Sequence, residues 1–163
     1  MSLPDAENLI QDLCRQIKPQ LMPASALIGI HTGGAWLAER LQQLLGGEIP
    51  LGTLDISFYR DDFSRIGLHP QVKPSHIPFE VEDRHIILVD DVLNTGRTIR
   101  AAMNELFDYG RPASVRLAVL VDRGARELPV QADFAAARVS LPADQSLALA
   151  RADDGAFTFE IKG

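Results

Sequence analysis

Two adjacent carboxylates at the end of an apolar run are the strongest chemical feature of the sequence. Asp90 and Asp91 directly follow Ile86–Val89, a continuous apolar run that predicts a strand covered on both faces. Ligands of open α/β sheets bind at the carboxyl ends of parallel strands, which is where this strand would place both acids. The next segment, Thr95–Thr98, predicts the start of a helix. The sequence therefore predicts a ligand site at a strand-to-helix turn.

The same turn carries groups that suit a phosphorylated sugar. The free N–H groups at the start of a helix favour an anion, and Gly96 lets the backbone approach a phosphate closely. Asp90 and Asp91 would repel that phosphate unless they accept hydroxyl protons or face a cation. A phosphorylated ribose with bound Mg²⁺ supplies both partners. The plainer alternative, an acidic turn that caps a helix, accounts for one aspartate and one threonine but not for the whole set.

The rest of the chain predicts an alternation of strands and helices. Such an alternation is typical of an α/β fold with a central, mostly parallel sheet flanked by helices and joined by right-handed crossovers. Because 163 residues fit one domain of ordinary size, we expect a single domain over residues 1–163. Apolar residues at helical spacing predict helices within residues 9–21, 35–45 and 98–109. Short apolar or alternating runs predict strands at residues 26–30, 54–58, 86–89, 115–121, 147–149 and 157–161.

Residues 59–84 interrupt this alternation. The segment shows no sustained periodicity and contains three prolines. A stretch of this length without periodicity is often a mobile lid or a binding loop in a compact domain. The alternative is a β-hairpin whose strands the pattern does not reveal, and a flexible hairpin can itself serve as a lid. We therefore predict a lid over residues 59–84.

Composition and charge exclude several classes of protein. No apolar run approaches the ~18 residues of a membrane-spanning helix, and residues 1–13 lack the basic start of a signal peptide. The formal net charge of −6 argues against a general nucleic-acid binder. Cys14 is the only cysteine, which excludes an internal disulfide and indicates a reducing compartment. We therefore expect a cytoplasmic protein without a membrane partner.

Residues 86–98 resemble the signature of type I phosphoribosyltransferases, which bind 5-phosphoribosyl 1-pyrophosphate (PRPP). They do not form a Walker loop, because the lysine and the glycine spacing of that motif are missing. Outside the signature the chain resembles the PyrR family, whose members regulate the pyrimidine operon and are also uracil phosphoribosyltransferases. The similarity extends roughly from Leu27 to Phe134. The blocks that carry it are Leu54–Asp62, Arg97–Met103, Gly110–Ala113, Leu117–Gly124, Arg126–Pro129 and Ala132–Phe134.

The resemblance implies the type I phosphoribosyltransferase fold, with a flexible lid or hood, and a role for each part of the site. Backbone N–H groups of the turn Thr32, Gly33 and Gly34 would bind pyrophosphate. Uracil would lie near Val121, Asp122 and Arg123. The catalytic residues would be Asp90, Asp91 and Arg60. PRPP, including its 5′-phosphate, would be bound by Asp90, Asp91, Val92, Leu93, Asn94, Thr95, Gly96, Arg97 and Thr98.

The implied reaction joins uracil to PRPP and gives UMP and pyrophosphate. Mg²⁺ would bind together with PRPP, with Asp90 and Asp91 as its protein contacts. Arg60 and the lid would close over the site and exclude water, because an oxocarbenium-like ribosyl centre would otherwise be hydrolysed. The other implied partners are UMP or UTP as the regulatory nucleotide, leader RNA, and further copies of the chain in a homodimer or larger assembly.

Two departures from the family pattern leave alternatives open. The pyrophosphate turn usually contains arginine where this chain has Gly33, which removes a cation that would stabilise the leaving group. A second hypothesis is therefore a nucleotide-sensing regulator that retains the PRPP and UMP pocket but has little or no catalytic activity. The second departure concerns the charges that would contact RNA. The first helix is acidic at Asp5, Glu7 and Asp12, whereas residues 97–126 contain six arginines. These arginines form either an RNA contact or a solvated, salt-bridged face.

Overall fold

A five-stranded parallel sheet forms the centre of the protein in the computed structural model, which describes residues 3–56 and 75–163. The strands are β1 (Ser25–Ile30), β2 (Leu51–Leu54), β3 (His85–Leu93), β4 (Ser114–Asp122) and β5 (Phe134–Arg138). They lie side by side in the order β2-β1-β3-β4-β5, and every neighbouring pair is parallel. The central, mostly parallel sheet expected from the sequence is therefore confirmed.

Within the described residues, three α-helices and one separate hairpin cover this sheet. The helices are α1 (Ala6–Ile17), which continues into a 3-10 turn at Lys18–Gln20, α2 (Gly33–Leu44) and α3 (Arg97–Leu106). The hairpin consists of the antiparallel strands β6 (Ser146–Arg151) and β7 (Phe157–Lys162). No helix in the two described ranges is long and apolar enough to cross a bilayer.

The apolar core has two halves, one on each face of the sheet. Along β3, Ile87 and Val89 pack towards α1, α2 and the hairpin, whereas Ile86 and Leu88 pack towards α3. All four side chains are fully buried. A strand that is covered on both faces needs apolar side chains at every position, which explains why this segment is a continuous apolar run.

The predictions for the edges of the sheet differ from the structure. The strand expected at residues 54–58 lies earlier in the chain, because β2 is held by its pairing with β1. Residues 57 and 58 lie outside the described part of the chain. The sequence analysis missed β5 because its sequence, Phe-Ala-Ala-Ala-Arg, neither alternates nor contains β-branched residues. Pairing with β4, rather than local preference, makes this segment a strand.

The predicted lid at residues 59–84 is only partly described. Thr53 and His76 exchange two backbone hydrogen bonds of 2.7 and 2.9 Å, and Val81 is buried in the core. His76 and Val81 thus attach the end of this segment to the sheet and the core. Residues 57–74, which include Arg60, lie outside the described residues, so the lid and the role of that arginine stay predictions.

A glycine allows β1 and α2 to approach each other closely. A Cβ atom on Gly29 would lie 2.6 Å from the carbonyl oxygen of Gly34, 2.7 Å from Cα of Ala35 and 2.8 Å from Cβ of Ala38. Most of these atoms belong to the backbone, so rotation of a side chain cannot make room. Gly29 does not have a positive φ. Packing alone therefore requires glycine at this position.

We expect Gly29→Ala to lower the free energy of unfolding by about 3 kcal/mol, because β1 and α2 would have to separate. Urea unfolding of the purified protein measures this loss. Gly52→Ala on the neighbouring strand β2 is the matched control. Its Cβ would lie 3.2 Å from the nearest atoms, one of them in the flexible Ile77 side chain, so a shift of a few tenths of an ångström suffices. Equal losses in the two variants would contradict the packing argument.

A buried carboxylate closes the loop that follows β4. Asp122 is only 3% exposed, and it accepts hydrogen bonds from the Arg126 guanidinium at 2.7 Å and from the N–H of Gly124 at 2.9 Å. Arg138 lies 3.6 Å away. Burial alone raises the pKa of Asp122, but these hydrogen bonds and the charges of Arg126 and Arg138 outweigh it and hold the pKa below its ordinary value.

We expect Asp122→Asn to destabilise the protein by about 2–3 kcal/mol at neutral pH, because it leaves Arg126 without its charged partner. Since folding lowers the pKa of Asp122, this stabilisation is complete above about pH 4 and is lost as the pH falls through the folded pKa. Denaturation of the wild type and of Asp122→Asn between pH 7 and pH 2 measures the difference in their free energies of unfolding. Asp12→Asn removes an exposed pair with Arg15 and serves as the control. A difference that does not shrink in acid would contradict the prediction.

Candidate active site

The candidate site lies where the strand order of the sheet reverses. From β1 the chain crosses to β2 on one side, whereas β3, β4 and β5 follow on the other side. In open α/β sheets such a switch point leaves a crevice at the carboxyl ends of the central strands, and ligands bind there. A cleft of about 430 Å³ opens at this position. Its lining residues are Ile30–Gly33, Trp36, Asp90–Val92, Asn94, Thr98, Arg123 and Ser146–Leu149.

The two predicted carboxylates lie in this cleft and are held by backbone N–H groups. Asp90 is 7% exposed, and its Oδ1 accepts the N–H of Asp91 at 2.9 Å. Asp91 Oδ1 accepts the N–H of Val92 at 3.0 Å, and its Oδ2 accepts the N–H of Leu149 on the hairpin at 3.1 Å. Backbone N–H groups therefore orient both carboxylates in the cleft.

The donor set of the cleft fits a magnesium ion that arrives with a substrate. Mg²⁺ is usually held by one or two carboxylates together with substrate phosphates and water. Asp90 and Asp91 supply such a pair of carboxylates. Among residues 3–56 and 75–163, no group of three or more acidic, histidine or cysteine side chains forms a metal site. Asp90 and Asp91 thus suit a cation that is held by two carboxylates together with substrate oxygens.

The turn between β3 and α3 encloses a second, smaller hollow of about 60 Å³. Gly96 has φ +97°, a left-handed conformation that favours glycine, and it leads directly into the helix. The hydroxyl of Thr95 accepts the N–H of Arg97 at 3.2 Å. The Arg97 side chain forms an exposed ion pair of 2.8 Å with Glu127, so only its backbone belongs to the turn. The residues around this hollow are Asp90, Val92, Leu93, Asn94, Thr95, Gly96, Thr98 and Ile99.

The turn predicted to bind pyrophosphate faces the carboxylates. Thr32 and Gly33 line the cleft, and α2 begins at Gly33 without a side-chain cap from Thr32. The first N–H groups of the helix are therefore not used by that hydroxyl. A Cβ atom on Gly34 would lie 2.9 Å from Cα of Asp90 and closer still to the carbonyl oxygen of Val89. Gly34 thus brings the helix start directly against β3.

The three residues predicted near uracil have different surroundings. Val121 is packed in the core, and Asp122 forms the ion pair with Arg126 described above. Only Arg123 lines the cleft. Its guanidinium donates to the carbonyl oxygen of Pro142 at 3.1 Å, but its Nε is buried and has no hydrogen-bond partner within residues 3–56 and 75–163.

Asn94, like Arg123, carries a buried polar atom that has no hydrogen-bond partner among the described residues. Its Oδ1 is buried without a partner, and the residue lines both the cleft and the smaller hollow. Arg126 holds the Asn94 backbone carbonyl at 2.9 Å. An unpartnered buried polar group costs about 1–3 kcal/mol, so such atoms usually meet water or a ligand. Asn94 and Arg123 thus each place one such buried polar atom beside the cleft.

The sequence analysis did not identify the hairpin and Trp36 as parts of the site. Ser146–Leu149 form one wall of the cleft, although their alternation predicts only a strand. Trp36 stacks on Phe157 with 6.4 Å between ring centroids, and the Arg151 guanidinium lies 4.5 Å from its ring. The side chain therefore packs within the chain and also lines the cleft. No motif in the sequence signals these long-range contacts.

Most of the arginines between residues 97 and 126 are used inside the protein. Arg116 donates to the carbonyl oxygen of Gln20 at 3.0 Å and lies over the Phe134 ring. Arg126 holds Asp122 and two backbone carbonyls. Arg97 and Arg123 have the partners given above, while Arg100 and Arg111 are exposed. The cluster therefore resembles a salt-bridged surface more than one basic face.

Comparison with known proteins places this geometry in a family. The family model for the phosphoribosyl transferase domain matches residues 3–144. The fold is similar to that of a purine phosphoribosyltransferase from Pyrococcus horikoshii, with a TM-score of 0.65, 26% identity and coverage of 85% of each chain. A hypoxanthine phosphoribosyltransferase from Staphylococcus aureus has the same TM-score at 18% identity, covers 88% of this chain and 76% of its own, and shares the fold alone.

Curated relatives are much closer in sequence. The chain is 54% identical over 153 residues to the "Bifunctional protein PyrR" of Pseudomonas paraeruginosa, with 91% of this chain and 90% of that protein covered. It is 55% identical over 155 residues to the protein of the same name from Nitrosococcus oceani, with 94% and 88% covered. The family expected from the sequence blocks is therefore confirmed. The chain belongs to the PyrR family of phosphoribosyltransferases.

Proposed function

We propose that the protein transfers the phosphoribosyl group of PRPP to uracil, giving UMP and pyrophosphate, and regulates pyrimidine biosynthesis genes in response to uridine nucleotides. One observation carries the catalytic part of this proposal. The cleft of about 430 Å³ brings Asp90 and Asp91, the start of α2 and the hairpin around a single cavity. Each of these three parts of the cleft suits one part of PRPP or of uracil.

The sugar-phosphate end of PRPP fits the turn between β3 and α3. The backbone N–H groups at the start of α3 and the hydroxyl of Thr98 are available to the 5′-phosphate. Asp90 and Asp91 accept hydrogen bonds from the ribose hydroxyls and stabilise the positive charge that develops at the anomeric carbon. Asp90 and Asp91 would also hold a Mg²⁺ ion that binds with PRPP, and this ion would neutralise charge on the pyrophosphate.

The leaving group and the base fit opposite sides of the cleft. The N–H groups of the turn at Thr32, Gly33 and Gly34 stabilise the departing pyrophosphate. Uracil presents carbonyl acceptors, and the Arg123 side chain, which lines this part of the cleft, carries N–H donors that suit them. The bond from uracil N1 to the anomeric carbon forms as the bond to pyrophosphate breaks, and the N1 proton passes to the departing pyrophosphate or to water, so no covalent nucleophile is needed.

The regulatory part rests on the family and not on one site in the chain. We propose UMP or UTP as the sensed nucleotide, because either would occupy the same cleft, and leader RNA as the nucleic-acid partner. The exposed Arg100 and Arg111 are the described arginines of the 97–126 cluster that remain open to phosphates. Cytoplasmic location, a single domain and assembly into a homodimer or larger oligomer complete the proposal.

A second candidate function is a nucleotide-sensing regulator without turnover. Gly33 favours it, because the turn offers backbone N–H groups but no cationic side chain to the leaving pyrophosphate. The first candidate function predicts ligand binding and turnover, whereas the second predicts ligand binding alone. A comparison of turnover with ligand affinity therefore distinguishes them.

We expect the purified protein to form UMP from uracil and PRPP in the presence of Mg²⁺, and to lose this activity when the cation is chelated. Separation of the nucleotide products measures turnover, and calorimetry on the same preparation measures PRPP and UMP binding. Cytosine is the control base, because it has an acceptor at N3 and a donor at C4 where uracil has a donor and an acceptor. Binding without turnover would instead identify the second candidate function. Absence of both would reject the proposed site.

We expect Asp90→Asn combined with Asp91→Asn to weaken PRPP binding by about a hundredfold or more, because hydrogen bonds to charged groups contribute about 1.5–3 kcal/mol each. Titration calorimetry with Mg²⁺ and PRPP measures the affinity. Glu48→Gln with Asp108→Asn removes the same charge from exposed positions outside the cleft and serves as the control. Unchanged PRPP affinity in the first variant would rule out the ribose and Mg²⁺ roles.

A further inference from the structure

A single carboxylate joins the floor of the cleft to its hairpin wall. Asp91 lies on β3, and its Oδ2 accepts the N–H of Leu149 on β6 at 3.1 Å. The hairpin does not belong to the main sheet, so its position depends on contacts of this kind. Leu147 and Leu149 are buried in the core half shared with α1 and α2. The hydrogen bond from Leu149 therefore sets how closely the polar backbone of β6 approaches the carboxylate.

The Asp91 side chain occupies space that is free because residue 33 is a glycine. A Cβ atom on Gly33 would lie 2.7 Å from Cγ of Asp91 and closer still to Oδ2, which real Cβ atoms essentially never do. The three nearest atoms all belong to the Asp91 side chain. A side chain at residue 33, arginine included, would therefore displace this carboxylate from Leu149.

The backbone gives no other reason for glycine at residue 33. Gly33 is the first residue of α2 and does not have a positive φ. Helix preference alone would favour alanine there over glycine. The cost of a side chain thus comes from Asp91, and the two residues act as a pair.

We propose that Gly33 is a positioning residue, whose missing side chain lets Asp91 hold the β6–β7 hairpin against the cleft. The hairpin residues Ser146–Leu149 line the cleft together with Arg123, where the proposed function places uracil. The pair therefore sets the width of the base end. The structural claim stands on the geometry alone, whereas its effect on uracil rests on the proposed function.

Amide hydrogen exchange of Leu149 tests the structural claim without any ligand. We expect Gly33→Ala to raise the exchange rate of this amide by about tenfold or more, because its charged acceptor is displaced. Asp91→Ala should raise it by a similar factor, and the double variant should exchange no faster than Asp91→Ala alone. Thr32→Ala, in the same turn but not against Asp91, should leave the Leu149 rate unchanged. The Val119 amide on β4 is the internal reference.

Two results would overturn the proposal. One is an unchanged Leu149 rate in Gly33→Ala. The other is a further increase when Gly33→Ala is added to Asp91→Ala, since the two residues would then act independently. If Asp91→Ala does not fold, Asp91→Asn replaces it in the cycle. The Asn side chain has one oxygen where Asp91 uses two to accept the N–H groups of Val92 and Leu149.

Kinetics then tests the consequence for the base. We expect Gly33→Ala to weaken PRPP binding, because Asp91 and this turn are proposed to bind PRPP, and in addition to raise KM for uracil several-fold at saturating PRPP, because the hairpin lines the base end. An unchanged KM for uracil at saturating PRPP would show that the pair does not set the width of the base end. If the wild type forms no UMP, the proposed function fails, but the exchange cycle still decides the role of Gly33.

Discussion

The close contact between the start of α2 and the strands beneath it places one turn of the candidate site against its two carboxylates. Gly29 and Gly34 let the helix lie directly against β1 and β3, at distances that no side chain would allow. This contact brings the N–H groups of one turn next to carboxylates that follow a different strand in the sequence. A shift of α2 by the width of one methyl group would separate the parts that are proposed to bind pyrophosphate and ribose.

The electrostatics of the cleft follow from the same arrangement. Asp90 and Asp91 lie between the starts of α2 and α3, whose N-terminal ends carry partial positive charge. Each helix start offsets the repulsion that two acids would exert on a phosphate. Backbone N–H groups also hold both carboxylates in place. A site that combines acids with phosphates therefore needs no cluster of basic side chains, which is compatible with the net charge of −6.

Sequence analysis was most successful where the site is local in the chain. The run Ile86–Val89, the two aspartates and the following turn lie within thirteen residues, so their order alone predicts a strand, a site and a helix. The arginines show the opposite case. The partners of Arg97, Arg116 and Arg126 lie 4 to 96 residues away, and the sequence does not distinguish an ion pair from a ligand contact.

The base end of the cleft depends on contacts across almost the whole chain. The hairpin is held by Asp91 from inside and by Glu7 from outside, where Glu7 Oε2 accepts the N–H of Phe157 at 2.7 Å and Oε1 pairs with Arg40. These contacts span 58 and 150 residues, so no local pattern could reveal them. The part proposed to bind the sugar phosphate rests on β3 and the turn that follows it, whereas the part proposed to bind the base rests on the packing of α1, α2 and the hairpin. Recognition of the base can therefore change through packing substitutions that leave the PRPP signature intact.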